Sequence, residues 1–186
     1  MALRIDVITL FTEMFEGFCS TSIVGRAIRN SLAEIHLTNL RDFAADSYGT
    51  VDDAPFGGGP GMVLMCGPVF DAVESVRGQA GPAGKVILLS PQGRPMEHGL
   101  VVELAREERL ILLAGHYEGF DERIRTGLAD LEVSLGDFVL SGGEIAAMAL
   151  ADAVIRLQPG ALGQEASLHE ESFGMGLLEY PQYTRP

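Results

Sequence analysis

Tryptophan is absent, cysteine occurs twice and no apolar run is long. With only Cys19 and Cys66, a disulfide framework is excluded. The four histidines (His36, His98, His116, His169) are scattered and no Cys-x-x-Cys occurs, so a zinc site has no support either. Both cysteines read as small buried hydrophobes, and a reducing, cytoplasmic location is the default. Apolar stretches such as Val86–Leu89 and Leu110–Ala114 fall far short of the ~18 residues of a membrane helix. Arg4 and Asp6 interrupt the N-terminal apolar run, so it does not form the core of a signal peptide. Cations are scarce: 13 Lys plus Arg stand against 26 Asp plus Glu, a formal net charge of −13. By composition alone this is not a nucleic-acid binder, which normally shows a basic excess. No internal repeat or low-complexity tract appears.

What is present suits a folded chain. The 186 residues are 47% hydrophobic and 21% charged, which fits one domain or one with a short extension. Glycine is in excess, 23 residues against a usual ~7%, which points to several tight backbone sites. Arg4–Phe11 reads as a first strand, Glu13–Cys19 and Ser22–Ser31 as helices with Ser22 as N-cap, and Ile35–Leu40 as a half-buried strand. Arg41–Gly61 reads as a polar, glycine-rich loop. Pro68–Arg77 reads as a helix with proline at its start and Gly78 past its end. Short buried strands follow at Lys85–Ser90 and Leu110–Ala114, with helices at Glu97–Arg109, Gly119–Gly127 and Gly143–Arg156. One or two strands lie within Leu131–Leu140. This alternation predicts an α/β domain with a mostly parallel, helix-covered sheet. Residues 161–186 lose the apolar periodicity and read as a linker or arm after a 1–160 domain.

Three strand ends run into polar or glycine-bearing loops: Leu88–Gly93, Ala114–Gly119 and Ser134–Gly143. Open α/β sheets bind ligands beyond the carboxyl ends of their strands, so the three loops together favour one pocket. The run Phe56-Gly-Gly-Gly-Pro-Gly-Met62 is neither a P-loop, lacking its lysine, nor a dinucleotide fingerprint, because Met62 stands where the third glycine belongs. Four glycines in five residues suggest close backbone approach to a flat ligand. His116 is either a base or hydrogen-bonded structure, and the second is the commoner use of a lone histidine. Asp121, Glu122 and Arg123 open a helix, where acids suit the first turn.

Several stretches, in order along nearly the whole chain, carry a resemblance. They are Thr50–Asp53 with Phe56–Met62, Leu89–Arg94, Gly115-His-Tyr-Glu-Gly-Phe-Asp-Glu-Arg123, Gly136-Asp-Phe-Val-Leu-Ser-Gly-Gly-Glu144 and Leu177–Pro186. On these the chain resembles the bacterial TrmD family of the SPOUT class, tRNA (guanine-N1)-methyltransferases acting at tRNA position 37. The resemblance implies a C-terminal trefoil knot whose loops hold S-adenosylmethionine. The matching positions are Leu88, Leu89, Ser90, Pro91, Gly115, Tyr117, Glu118, Gly119, Ser134, Leu135, Gly136, Phe138, Leu140, Gly142 and Gly143. It implies Arg156 and Glu171 as catalytic residues, with Glu171 as the base where the family's usual residue is Asp. Glu170 and His169 are neighbouring alternatives. Asp52, Pro60, Gly61 and Ser172 match positions near the target base. A homodimer with the site at the subunit interface and tRNA as substrate are implied, as is a C-terminal helical domain following the 161–186 arm and absent from this sequence. A Mg²⁺ dependence is implied by the family alone. Phosphate contacts fall to Arg26, Arg29 and Arg41 or to that further domain. The competing readings are another SPOUT RNA methyltransferase and a non-catalytic module that binds an adenosyl ligand.

Overall fold

The computed structural model describes residues 2–79, 81–162, 172–173 and 178–185. The chain opens with β1 (Leu3–Thr9), a 3-10 turn at Thr12–Phe15, α1 (Glu16–Ser20), α2 (Ser22–Arg29) and β2 (Ala33–Asn39). After a second 3-10 turn at Leu40–Phe43 come two short strands, β3 (Asp52–Asp53) and β4 (Val63–Leu64). The rest alternates: α3 (Cys66–Gly78), β5 (Lys85–Pro95), α4 (His98–Leu104), β6 (Arg109–Ala114), α5 (Glu122–Gly127), β7 (Leu131–Ser134) and α6 (Glu144–Ile155). Five strands form one sheet in the order β2-β1-β6-β5-β7, every neighbouring pair parallel, while β3 and β4 pair antiparallel outside it. The expected mixed α/β architecture with a mostly parallel sheet is what forms.

The central strands are apolar at consecutive positions because both faces are covered. Alternate side chains divide between two cores. Ile5, Val7, Ile87, Leu89, Leu110 and Leu112 pack under α2, α4 and α6, with Leu100, Leu104, Leu150 and Val154 opposite them. Ile8, Val86, Leu88, Ile111 and Leu113 pack under α3 and α5, against Val69, Val73, Val76 and Ile124. Among the described residues no helix is long and apolar enough to cross a membrane.

The structure corrects several boundaries. Ser22 is not a cap but the first helical residue; Thr21 precedes it and donates its hydroxyl back to Gly17 O at 2.7 Å. The helix read at Glu97–Arg109 stops at Leu104, because Arg109 belongs to β6. Only Leu131–Ser134 of Leu131–Leu140 is strand; Ser134 Oγ accepts from Gly136 N at 3.1 Å and turns the chain away. The stretch 88–93 is not a plain loop after a strand. It lies inside β5, whose ladder with β7 shifts register between Leu89 and Arg94, so that Val133 faces both. Ser90 to Gly93 form the bulge, where proline needs no ladder partner. Both cysteines are half-buried, not fully buried.

One charged pair is locked into the α3-side layer. Asp6 on β1 and Arg109 on β6 are each 1% exposed, and Arg109 Nε donates to Asp6 Oδ2 at 2.8 Å. Arg109 also donates to Val76 O at 2.6 Å and to Pro82 O at 2.9 Å, pinning the end of α3 and the loop before β5. Arg4 closes over the same carboxylate at 2.7 Å. A buried pair broken on one side leaves an uncompensated charge. Asp6→Asn is therefore expected to lower unfolding free energy in urea by about 3–5 kcal/mol. Arg109→Met, which leaves Asp6 with Arg4, is expected to cost less.

Candidate active site

The bulged middle of β5 and the carboxyl ends of β6 and β7 border one cavity of about 380 Å³. Its walls are Leu88 to Gln92 of β5, Gly115 to Phe120 after β6, and Glu132 to Gly136 with Phe138 to Gly143 from β7 onward, completed by Glu122 and Arg125 of α5 and Ala146 of α6. All fifteen residues read as cofactor-contacting line this single space, from Leu88 to Gly143. Gathering them requires backbones to touch. A Cβ on Gly93 would lie 2.5 Å from Val133 N, and one on Gly143 would lie 2.8 Å from Ala114 Cα and Gly115 N. A Cβ on Gly115 would lie 2.5 Å from the Phe120 ring. Gly143 N donates to Gly115 O at 2.8 Å, and Gly142 bridges His116 antiparallel, so two of the walls are tied directly.

The cavity wall near the bulge is polar. Ser90 Oγ donates to Glu132 Oε1 at 2.5 Å, and Arg125 Nη1 stands 3.9 Å from Glu132 Oε2. Arg125 is also clasped by Glu122, which holds its own carboxyl below the usual range through that hydrogen bond. The sequence reading places Gln92 in a pocket loop and Glu122 at a helix start; Arg125 and Glu132 carry no signal in sequence, because their helix and strand positions face the cavity only once the sheet is assembled. At the mouth, Tyr117 takes a left-handed φ of 61° and its hydroxyl lies 3.4 Å from Arg41 Nη2.

The segment 50–65 is stitched beside this mouth. Glu118 N donates to Met62 O at 2.9 Å, Leu64 N to Gly119 O at 2.9 Å and Asp121 N to Leu64 O at 3.0 Å. Gly61, at φ +80°, lies against the Glu118 side chain, so Pro60 and Gly61 border the cavity residues without lining the cavity. At Gly57 and Gly58 no protein atom lies within 4 Å of the Cβ positions, and it is the positive φ of 90° and 87° that calls for glycine within the chain. Asp52 sits on β3 opposite Leu64. Asp121 caps α5, and the Arg123 side chain draws its carboxyl far below the ordinary range. The Cys66 thiol is pushed up, first by burial and then by its hydrogen bond to Asp121.

Arg156 does not reach this cavity. It caps the far end of α6, ten residues beyond Ala146, which lines the cavity; that is about 15 Å at ~1.5 Å per residue. Ser172 Oγ accepts from Glu179 N at 3.0 Å, apart from the cavity lining. Glu171, Glu170 and His169 lie outside the described residues. Among the described residues there is no group of three or more His, Cys, Asp or Glu that could hold a metal ion.

Comparisons with known proteins agree with one another. A family model described as tRNA (Guanine-1)-methyltransferase TrmD matches residues 3–186. A Brevibacillus brevis protein named tRNA (guanine-N(1)-)-methyltransferase is 56% identical over 184 residues, 99% of this chain and 75% of its own length. A Moorella thermoacetica protein of the same name is 54% identical over 186 residues, 99% of this chain and 74% of its own. The crystal structure of tRNA (m1G37) methyltransferase from Aquifex aeolicus superposes with a TM-score of 0.85 at 40% identity, covering 100% of this chain and 77% of that one.

The glycine contacts make a separable prediction. Gly143→Ala forces backbone against backbone and should cost about 1–3 kcal/mol by urea unfolding. Gly99→Ala, in α4 with open space around it, should instead stabilise by up to ~1 kcal/mol through helix propensity.

Proposed function

The chain belongs to the tRNA (guanine-1)-methyltransferase TrmD family, whose activity is methyl transfer to guanine N1 of tRNA, and we propose that it acts at the guanosine in position 37 with S-adenosylmethionine as donor. The observation that carries the donor assignment is the cavity where the β5 bulge and the two loops 115–120 and 134–143 converge. Its lining fits an adenosyl ligand. Leu88, Leu89, Leu135, Phe138 and Leu140 offer apolar surface to a flat base. The backbones around Gly115, Gly136 and Gly142 offer donors and acceptors without intervening side chains. The donor, when bound there, supplies a methyl group already activated on a sulfonium.

The chain's own task is the proton. Guanine N1 is protonated at neutral pH and must lose that proton to become a nucleophile. Glu171 is the proposed base: its carboxylate takes the N1 proton and leaves N1 a nucleophile. Negative charge shifts toward the guanine carbonyl oxygen, where the Arg156 guanidinium stabilises it. Both roles rest on the register with the family motifs, and Glu is one methylene longer than the Asp usual there. Asp52, Pro60, Gly61 and Ser172 are the proposed contacts to the target base. The stitched 50–65 segment, with Gly61 against Glu118, supports this for the first three.

The proposed assembly is a homodimer with the site at the subunit interface. The placement of Arg156 a helix away from the cavity of its own chain supports it, and a C2 dimer is the common closed form. A trefoil knot is part of the same reading, supported by the tight passage of Gly142–Gly143 over Ala114–Gly115.

Transcripts of tRNA carrying guanosine or adenosine at position 37 test the activity. Methyl incorporation is expected only into the guanosine form. Glu171→Gln should lower turnover by about 10²–10⁴-fold, whereas Glu171→Asp should retain most of it. Full activity of Glu171→Gln with loss in Glu170→Gln or His169→Ala would move the base to the neighbour. Light scattering at micromolar concentration should give twice the chain mass; a monomeric mass with full activity would refute the shared site.

A further inference from the structure

The most deeply buried carboxylate beside the cavity has no part in the chemistry above. Glu144, first residue of α6, is 1% exposed. Its Oε1 accepts from Thr9 Oγ1 at 2.7 Å, across 135 positions of chain. Its Oε2 stands 3.4 Å from His116 Nε2. The His116 ring packs on Phe11 at 4.9 Å between centroids. The Gly142 backbone presses on the pair: a Cβ there would overlap both His116 Nε2 and Glu144 Oε2. The end of β1, the turn after β6 and the loop before α6 therefore meet on one carboxylate. A helix dipole favours an acid in the first turn, but that accounts for neither the burial nor two partners from other segments. A buried carboxylate is costly unless such partners satisfy it.

We propose that Glu144 is a positioning residue. By holding His116 it fixes the Gly115–Gly119 turn against Gly142–Gly143 and so sets the spacing of two cavity walls. This rests on the reading that the cavity holds S-adenosylmethionine. Thr9 anchors the carboxylate to the sheet, and Gly142 admits the pair because it has no side chain. Phe11 packs on the imidazole at 4.9 Å between ring centroids.

A double-mutant cycle tests it. Glu144→Gln keeps the shape and the Thr9 bond while removing the charge that faces His116. His116→Ala removes the other partner from a side chain 21% exposed, where loss of folding is not expected. S-adenosylhomocysteine is titrated calorimetrically into each variant, the double variant and the wild type, with thermal unfolding as the control. Each single change should weaken binding about tenfold, and the double change about tenfold as well, because both remove one coupling. In turnover assays the loss should appear as a raised KM for the donor. A merely structural role would lower kcat through a smaller folded fraction and leave KM alone. Additive losses in the double variant, or wild-type affinity in both single variants, would overturn the proposal. A wild type that fails to bind S-adenosylhomocysteine would overturn the donor reading itself, and the proposal with it.

Discussion

Backbone pressed directly on backbone is the constraint on which the cavity depends. Gly93 lies against Val133, and Gly143 against Ala114 and Gly115, at separations no side chain permits. These contacts bring a bulge, a turn and a returning loop within one ligand's width of each other. The sheet supplies the platform, because parallel strands buried on both faces release their loops at one edge. The two cores on either side keep that edge level: Leu89 and Leu112 serve one, Leu88 and Leu113 the other.

The site was legible where chemistry is local in sequence. Short apolar runs marked β5 and β6, and the glycine-bearing segments after them marked the cavity walls. The excess of glycine signalled tight backbone sites, though it did not separate Gly143, which meets backbone, from Gly57, which meets open space. What depends on long-range pairing stayed hidden. Arg109 looked like the end of a helix because its partner Asp6 is 103 positions away. Glu144 looked like an ordinary first-turn acid because Thr9 stands at the other end of the chain. The β5 bulge reads as a loop in the sequence, since its register is defined only by Val133 on β7. Arg156 and Glu171 were named by resemblance alone; no local pattern around them announces chemistry.

The acidic composition pointed away from nucleic acid, and the family membership corrects that inference. Formal charge sums groups that the fold spends differently. Arg4 and Arg109 converge on Asp6, Arg77 on Asp130, Arg123 on Asp121 and Arg125 on Glu122, so their charges are met within the protein. Arg26, Arg29 and Arg41 instead donate to backbone carbonyls at Ala161, Ser20 and Gly49. A carbonyl orients a guanidinium without cancelling it. Phosphate affinity responds to such local cations more than to net charge.

The order of strands also bears on how the chain is made. β1 lies inside the sheet, and one of its two neighbours, β2, follows within a few tens of residues. The other, β6, pairs Arg4 with Arg109. A ribosome adding ~5–20 residues per second needs on the order of ten seconds to deliver it. Throughout that interval the nascent β1 carries an unsatisfied ladder edge and an apolar surface intended for a core that has no second half yet. Synthesis from the N-terminus thus leaves the structural heart of this enzyme waiting on a strand from its second half.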